Sequence, residues 1–231
     1  MASELTLATE AVPTVRITAR SGSVQVTGER RGDVVVKGAR HAEVLDDGSV
    51  QIKARSGSVK VRCPEGSAVI VGSGSGDVEL IGRLGHARVT VGSGSISVEH
   101  VERLDARTAS GSFDVRVCEG ECRCKTGSGG INVERAGTAD LATASGSVTA
   151  DEVDNAKVKA GSGDVEVGLA GPGSLDVKAL SGSVTVSVPR GVRPDMRLMT
   201  LSGDVQRDPA PGDDGEIRVK TLSGSVRVLE R

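Results

Sequence analysis

The sequence predicts an all-β fold, a single-stranded parallel β-solenoid (β-helix) in which each turn of the chain stacks on the next. A Ser-Gly phrase recurs every 17 to 21 residues over most of the chain, and apolar residues alternate with polar ones on both sides of it. The 231 residues include 32 glycines and a single aromatic residue, Phe113, so the core must be thin and built from small or β-branched side chains. A short fixed period is typical of solenoids, whose repeats bury their apolar faces only against neighbouring repeats.

Glycines at the corners mark the repeat, and after a first gap of 35 residues they follow at intervals of 17 to 21. We expect the gap to contain one degenerate repeat near Gly38. Glycine adopts positive φ without strain at a sharp bend, and the serine before it can hydrogen-bond backbone groups that the bend leaves unpaired. The predicted structural corners are Gly22, Gly57, Gly76, Gly94, Gly111, Gly129, Gly146, Gly163, Gly182, Gly203 and Gly224.

Two strands per rung follow from the apolar positions around each corner. The second and fourth residues after the glycine are apolar, as in Val59 and Val61, and the fifth and seventh residues before it are apolar or small, as in Val177 and Leu175. A period of two over short β-branched runs predicts strands. Repeats that run in one direction pair in parallel, and the crossover rule favours a right-handed coil. We expect about twelve rungs.

One domain over residues 1–231 is predicted, with residues 1–12 as an N-terminal strand or cap and residues 13–231 as repeats. The segment "ELTLATEA" alternates Leu5 and Leu7 with polar residues and is long enough to cover the first rung. By contrast, the last residues, "SGSVRVLER", form one strand of a rung with nothing after them. Because open solenoid ends usually require a cap, we expect a homo-oligomer through the C-terminal rung, as a tail-to-tail dimer if the N-terminus is capped and as a filament if it is not. The alternative is that the long turns "VPRGVRPD" and "RDPAPGDDG" shield this edge.

A row of charges six positions before the glycines alternates in sign. In-register stacking in sequence order would place each charge between two opposite ones, which relieves the repulsion expected of identical repeats. The row therefore predicts the stacking register independently of the apolar pattern. It consists of Arg88, Asp105, Arg123, Asp140, Lys157, Asp176 and Arg197.

Three further motifs accompany the corners, namely "ARSGSVQVTGERRGDVVVKG", "VRCPEGSAV" and "VSVPRGVRP". With them the chain resembles the putative-adhesin family of bacterial β-strand-repeat proteins, which is grouped with the toastrack-like β-solenoids of envelope-stress proteins. The resemblance covers most of the chain and implies the solenoid fold, and the adhesin label implies a surface role. The motifs are corners and turns, so they specify the fold far better than an activity.

The composition limits the cellular compartments and the binding partners that we expect. The net charge of −2 provides no overall attraction to nucleic acid, and no apolar stretch is long enough to be a transmembrane segment or a signal peptide. Four cysteines are too few for a disulfide scaffold, so we expect a cytoplasmic protein. Cys63, Cys122 and Cys124 fall at inward positions and should be buried and metal-free, whereas Cys118 lies near a turn and should be the most reactive.

No catalytic, metal or cofactor site is predicted. The aspartates of the "SGD" corners lie on scattered rungs, which disfavours a calcium array. The three histidines form no constellation with a serine and a carboxylate, and the solitary Phe113 provides no platform for sugar rings. A carbohydrate-active β-helix enzyme is therefore the least favoured interpretation.

Charge is segregated between the two sides of the predicted coil. Positions four and six before the glycines are mostly basic, and positions three and five after them are mildly acidic. Two interpretations stay open beside that of a solvated surface with weak ion pairs. One is a non-enzymatic structural or interaction module, a self-associating scaffold or adhesin-like protein. The other is a binding module for an anionic polymer, using a basic face of Arg88, Arg107, Arg123, Lys125, Lys157, Lys159, Lys178, Arg197 and Lys220.

Overall fold

The computed structural model describes residues 4–9 and 11–231, and within them every regular element is a β-strand. This confirms the all-β prediction. The chain divides into two compact units, residues 1–119 and 120–231. The predicted single domain over residues 1–231 stays a prediction. Residues 1–3 and 10 of the predicted cap lie outside the described residues.

The first unit contains two ladders of strands. Strands before a Ser-Gly corner form the pre-corner ladder, and strands after a corner form the post-corner ladder; the long strands contribute to both. The strands are β1 (Glu4–Ala8), β2 (Thr14–Ser21), β3 (Val24–Glu29), β4 (Asp33–Lys37), β5 (His41–Val44), β6 (Val50–Ala54), β7 (Val59–Pro64), β8 (Ala68–Ser75), β9 (Val78–Ser93) and β10 (Ile96–Ser110), with β11 (Phe113–Ser128) crossing the unit boundary.

Rungs in the first unit do not stack in sequence order. β2 pairs in parallel with β6 on one side and with β8 on the other, and β3 likewise lies between β7 and β9. The rung formed by β6 and β7 therefore stacks outside the rung that precedes it in the chain. From β8 onward the order is sequential, because β8 pairs with β9 and β9 pairs with β10.

The expected degenerate repeat near Gly38 is wrong. β4 runs antiparallel to β7, and β5 runs antiparallel to β6, with Gly38 at φ 80° between them. Residues 33–44 thus cover the outer rung instead of adding another parallel one. β1 continues this cover by pairing antiparallel with β4, whose Val34 and Val36 are buried, so it lies beside the rung of β6 and β7 and not over the first rung in sequence. With β5 and β4 in place, β6 and β7 each pair with a strand on both sides, so the parallel ladders end there.

The second unit also departs from sequence order, at its last three rungs. β19 lies between β15 and β17, and β20 lies between β16 and β18. The C-terminal rung is therefore internal, and β17 with β18 forms the outermost rung of this unit. The strands are β12 (Ile131–Ser145), β13 (Val148–Ser162), β14 (Val165–Leu169), β15 (Gly173–Ser181), β16 (Val184–Val188), β17 (Asp195–Ser202), β18 (Val205–Arg207), β19 (Gly215–Ser223) and β20 (Val226–Glu230).

Corner glycines stack directly on one another. All eleven have positive φ, between 99° and 148°. A Cβ built on Gly146 would lie 2.2 Å from the carbonyl oxygen of Gly129, and a Cβ on Gly163 would lie 2.3 Å from that of Gly146. Side chains are thus excluded by the neighbouring rung as well as by the backbone conformation. Each rung is tied to the next at the corner, as where the Gly146 amide donates to the Ser162 carbonyl at 2.9 Å.

Buried hydroxyls three residues before the glycines satisfy the corner carbonyls. Thr143 Oγ1 donates to the Gly129 carbonyl at 3.1 Å, and Thr221 Oγ1 donates to the Ser223 carbonyl at 3.2 Å. The prediction gave this role to the serines directly before the glycines. Those serines do stack in register, as Ser145 does on Ser162, but their side chains point outward and are exposed.

The core is the strip of inward residues between the two ladders. Val148, Ala150 and Val158 are fully buried, and the neighbouring outward residues are polar. Phe113 is buried as predicted, at 1% exposure. The count of about twelve rungs and the right-handed winding stay predictions.

Candidate functional site

The outer surface of the pre-corner ladder in the second unit has the most distinctive chemistry of the chain. Parallel in-register pairing repeats outward positions as rows across β13, β15, β19 and β17, in that spatial order. Neighbouring rungs are about 4.8 Å apart, and outward residues on one strand are about 6.6 Å apart. Each row is thus a line of closely spaced side chains whose identity decides what the surface can bind.

The alternating charge row is present as far as Asp176. Arg123 contacts Asp140 at 3.2 Å, Asp140 aligns with Lys157, and Lys157 aligns with Asp176. The predicted continuation to Arg197 is wrong. Because the last rungs change order, Arg218 follows Asp176 and then aligns with Arg197, which puts two cations together.

Carboxylates beside this like-charged pair reduce the repulsion. Glu216 lies 2.6 Å from Arg218 and 3.8 Å from Arg197, and Asp195 lies 3.4 Å from Arg197. Arg218 and Glu216 also line a shallow groove of about 380 Å³, whose walls include Asp140, Lys157 and Asp176. The groove therefore presents a mixture of both charges.

The nine residues of the predicted basic face are not equivalent. Arg88 and Arg107 belong to the first unit and both contact Asp105, at 3.8 and 3.3 Å. The other seven belong to the second unit. Among them, Arg123, Lys178 and Arg197 contact carboxylates, whereas Lys125, Lys157, Lys159 and Lys220 have no ion pair within 4.0 Å among the described residues.

Three of these lysines form a continuous row. Lys159 aligns with Lys178, and Lys178 aligns with Lys220, on three consecutive rungs. Like charges placed directly opposite each other are destabilising in a sheet. The row of Lys159, Lys178 and Lys220, called the lysine row below, is therefore not explained by the stability of the stack.

A row of exposed leucines runs beside the lysine row. Leu180, Leu222 and Leu201 occupy the outward position two residues before the corner glycine on the three outermost rungs, and their exposures are 57%, 50% and 77%. The preceding rungs of this unit have glycine or alanine at the same position. Met199, 57% exposed, aligns with Lys220 and completes the patch. These residues and the lysine row together form the Lys–Leu face.

The strands that carry this face have a positive outer surface. The outward positions of β15, β17, β19 and the second half of β13 hold six cations and three carboxylates, a net charge of +3, although the whole chain carries −2. The carboxylates Asp176, Asp195 and Glu216 lie on the side away from the leucines. On the same strands the leucines are therefore bordered by the lysines, and across the corner they are followed by Ser183, Ser225 and Asp204.

The outermost rung, β17–β18, is open. β17 pairs only with β19, and β18 only with β20, among the described strands. Inward residues that are buried on other rungs are half-buried here, namely Met196 and Leu198, and Val205 is 41% exposed. This rung therefore presents an incomplete core and a free strand edge.

The two long turns contact each other beside that edge. The Asp214 amide donates to the Arg193 carbonyl at 2.9 Å, and the Arg193 amide donates to an Asp214 carboxylate oxygen at 3.0 Å. Residues 189–194 and 208–214 thus contact each other beside the rung and leave Val205 exposed. The alternative that the turns shield the rest of this edge stays a prediction.

Cysteine chemistry is confined to the core. Burial of Cys63, Cys122 and Cys124 is confirmed, and Cys122 Sγ lies 3.8 Å from Cys124 Sγ. The prediction that Cys118 is the most reactive is wrong, since its side chain is 0% exposed on the inward face of β11. Burial raises the pKa of the Cys63 thiol to about 11, which keeps it protonated and unreactive at neutral pH.

A charged triad in the first unit was not foreseen from the sequence. Glu119 Oε1 lies 2.8 Å from His100 Nε2 and 2.8 Å from Arg83 Nη2. The His100 hydrogen bond and the Arg83 charge hold the pKa of Glu119 below its usual value. All three side chains are substantially exposed, which is typical of a cross-rung ion pair and gives no pocket for a substrate. The sequence did contain a signal for this triad, because its side chains are separated by 17 and 19 residues, which is one repeat each, and so fall on neighbouring rungs.

The "SGD" aspartates hold corners together. Asp77 Oδ1 accepts from the Ser95 amide at 2.8 Å, and Asp164 Oδ1 accepts from the Ser183 amide at 2.8 Å. In the part of the chain that the structure describes, no group of three or more histidine, cysteine or acidic side chains is placed to hold a metal ion. Nor do the described residues include a helix of the length and apolarity needed to cross a membrane.

Comparisons with known proteins identify the fold. A structure of a putative adhesin from Parabacteroides distasonis ATCC 8503 is 14% identical, with a TM-score of 0.50 over 100% of this chain and 97% of that chain. A putative adhesin from Bacteroides fragilis NCTC 9343 is also 14% identical, with a TM-score of 0.47 over 98% and 97% of the two chains. No curated protein matches.

The sequence profile described as Toastrack DUF4097 matches residues 4–152 and 84–225, which together cover nearly the whole chain. The resemblance expected from the corner motifs is thereby confirmed. The corner glycines, the parallel ladders and the profile all agree, and the chain belongs to the DUF4097 toastrack family.

Proposed function

We propose that this chain is a non-enzymatic scaffold that associates with a second copy through its open rung, β17–β18. The observation that carries the proposal is the incomplete core of that rung, where Leu198 is half-buried and Val205 is 41% exposed. A free strand edge above an exposed apolar strip is a ready template for another strand. The proposed contact replaces the expected one through the C-terminal rung, which is internal.

A tail-to-tail dimer fits this edge best. In the first unit the outer rung is covered by the antiparallel strands β4 and β5, so it does not offer the same parallel template. Two β17 strands paired antiparallel about Leu198 would overlap along their whole length and place the Leu198 side chains of both copies opposite each other. Such an isologous contact closes on itself and does not extend into a filament.

The names of the structural neighbours support an interaction role. Both are called putative adhesins, and neither name includes a reaction.

We also propose the finer architecture expected from the repeat, a right-handed coil of about twelve rungs. A cytoplasmic location is supported by the four cysteines, none of which forms a disulfide.

Sedimentation velocity over a wide concentration range tests the association. We expect a dimer for the parent chain and a monomer for Leu198→Lys, because an inward charge on an edge strand blocks pairing. Val44→Lys is the matched control, since Val44 is an exposed residue on the edge strand β5 of the first unit. A parent chain that stays monomeric at high concentration, or a dimer that Val44→Lys disrupts and Leu198→Lys does not, would refute the proposal.

A further inference from the structure

We propose that the Lys–Leu face binds the surface of an anionic lipid bilayer. The leucine row and Met199 provide four apolar side chains, each at least 50% exposed, on three adjacent rungs. The lysine row lies about 6.6 Å away on the same strands. Apolar groups bordered by lysines match the boundary of an anionic bilayer, where acyl chains lie beneath phosphate groups.

The exposed leucines are not required by the fold. Gly127, Ala144 and Gly161 occupy the same outward position on the preceding rungs of this unit, so the corner does not require a large side chain there. Half of the eight large apolar residues that are exposed in the described chain are Leu180, Met199, Leu201 and Leu222. An exposed apolar cluster of this kind marks an interaction site in a soluble domain.

Charge distinguishes the lipid surface from a second copy of the chain. A two-fold contact whose axis runs across the rows would set the lysine row of one copy against that of the other, and like charges disfavour it. A contact whose axis runs along the leucine row avoids that repulsion and is addressed by the sedimentation of the leucine variant below. On these strands Lys178 already has a carboxylate partner, Asp176, at 3.7 Å. Anionic headgroups would instead neutralise Lys159 and Lys220, which have no ion pair within 4.0 Å among the described residues.

Apolar content distinguishes the lipid surface from an anionic polymer. A polyanion needs only the lysines, and single-stranded nucleic acid is usually held by aromatic stacking as well. The one aromatic residue, Phe113, is buried at 1% exposure. If the face bound a polyanion, the leucines beside the lysine row would stay exposed to water, whereas a bound bilayer would cover them. Lysine side chains can extend past the leucines to reach the phosphates.

Co-sedimentation with vesicles tests the proposal. The parent chain should bind vesicles of phosphatidylcholine with 30% phosphatidylglycerol at low salt and leave vesicles of phosphatidylcholine alone unbound. Leu201→Ser with Leu222→Ser, and separately Lys178→Gln with Lys220→Gln, should each weaken binding by about tenfold or more. All four side chains are exposed, so these variants should keep the parent melting temperature.

Matched controls come from the first unit. Val12→Ser with Val44→Ser removes exposed apolar side chains, and Lys53→Gln with Lys60→Gln removes exposed charges; both pairs should bind vesicles like the parent. Leu198 points inward, whereas Met199 and Leu201 point outward from the same strand, β17, so the leucine variant is also sedimented without lipid to separate vesicle binding from the dimer.

Three outcomes would overturn the proposal. The first is no binding to anionic vesicles, or equal binding to neutral ones. The second is binding to heparin that is lost in the lysine double variant and unchanged in the leucine double variant, together with vesicle binding that the leucine substitutions do not weaken. This result would assign the face to a polyanion. The third is a change in the sedimentation coefficient of the leucine variant without lipid, which would assign the face to self-association.

Discussion

Two neighbouring corner glycines allow the cost of a side chain at a stacked corner to be separated from the cost of its backbone conformation. Gly22 and Gly57 have φ angles of 104° and 99°, and they occupy adjacent rungs of the first unit. A Cβ on Gly22 would lie 2.0 Å from the Gly57 carbonyl oxygen, whereas a Cβ on Gly57 meets nothing within 4 Å because it faces outward from the outermost corner.

Alanine at either position lowers the free energy of unfolding by about 1–2 kcal/mol, because its side chain disfavours positive φ. In Gly22→Ala the two rungs must also separate by about 1 Å to relieve the contact. That movement strains the two hydrogen bonds that flank the corner, from Ser21 N to Arg55 O at 3.2 Å and from Val59 N to Ser23 O at 2.9 Å. Losing both removes about 1–3 kcal/mol. Gly22→Ala should therefore unfold at a temperature about 5 °C below that of Gly57→Ala, by the usual dependence for chains of this size.

Thermal unfolding followed by circular dichroism measures the difference directly. Equal melting temperatures for the two variants, or a lower one for Gly57→Ala, would refute the proposed order in which Gly57 is outermost. The comparison is insensitive to helix or sheet propensity, because the same substitution is made twice in the same ladder.

Two further predictions follow from burial. Val226 and Val205 align on adjacent rungs but are 0% and 41% exposed, so Val226→Lys should cost about 3–5 kcal/mol and Val205→Lys about 1 kcal/mol or less in chemical denaturation; equal losses would contradict an internal C-terminal rung. Cys63 has a pKa of about 11 in the folded chain against 9.0 when exposed, so folding favours its protonated form. Its contribution is complete below about pH 9 and is lost as pH rises towards 11, and Cys63→Ala should flatten this part of the stability profile; an unchanged alkaline slope would count against a buried thiol.

Local patterns in the sequence were sufficient for the fold class. Alternating burial along each strand and the positive φ of the corner glycines follow from short-range chemistry that repeats every turn. Cys122 and Cys124 were placed correctly for the same reason. Cys118 was misplaced because it lies where β11 continues through a position that sequence pattern alone treats as a turn.

The order of the rungs was beyond the reach of the sequence pattern. Every rung offers the same Ser-Gly corner and the same inward valines, so β17 and β19 are interchangeable by pattern when either could stack on β15. The charge row was the one signal sensitive to order. Arg218 and Arg197 carry the same sign, so alternation could not show which of them follows Asp176.

The candidate surfaces depend on that order. Leu180, Leu201 and Leu222 would be neighbours in either order, but Lys178 and Lys220 are adjacent only because β19 stacks directly on β15, whereas sequence order would place Met199 between them. The same rearrangement moves the open edge from the C-terminal strand to β17 and β18. The predicted basic face included Lys159, Lys178 and Lys220, but their leucine neighbours were missed because exposed leucines two residues before a corner have no counterpart earlier in the repeat.

Hydrogen exchange followed by mass spectrometry tests the central claim most directly, because it reports which rung is outermost. At low protein concentration, where the chain is monomeric, the amides of residues 195–207 should exchange first within the second unit, since their strands are paired on one side only. The amides of residues 215–230, paired on both sides, should be protected about as well as those of β15 and β16. Rapid exchange of residues 215–230 beside protected residues 195–207 would show that the C-terminal rung is the open one and would contradict the account.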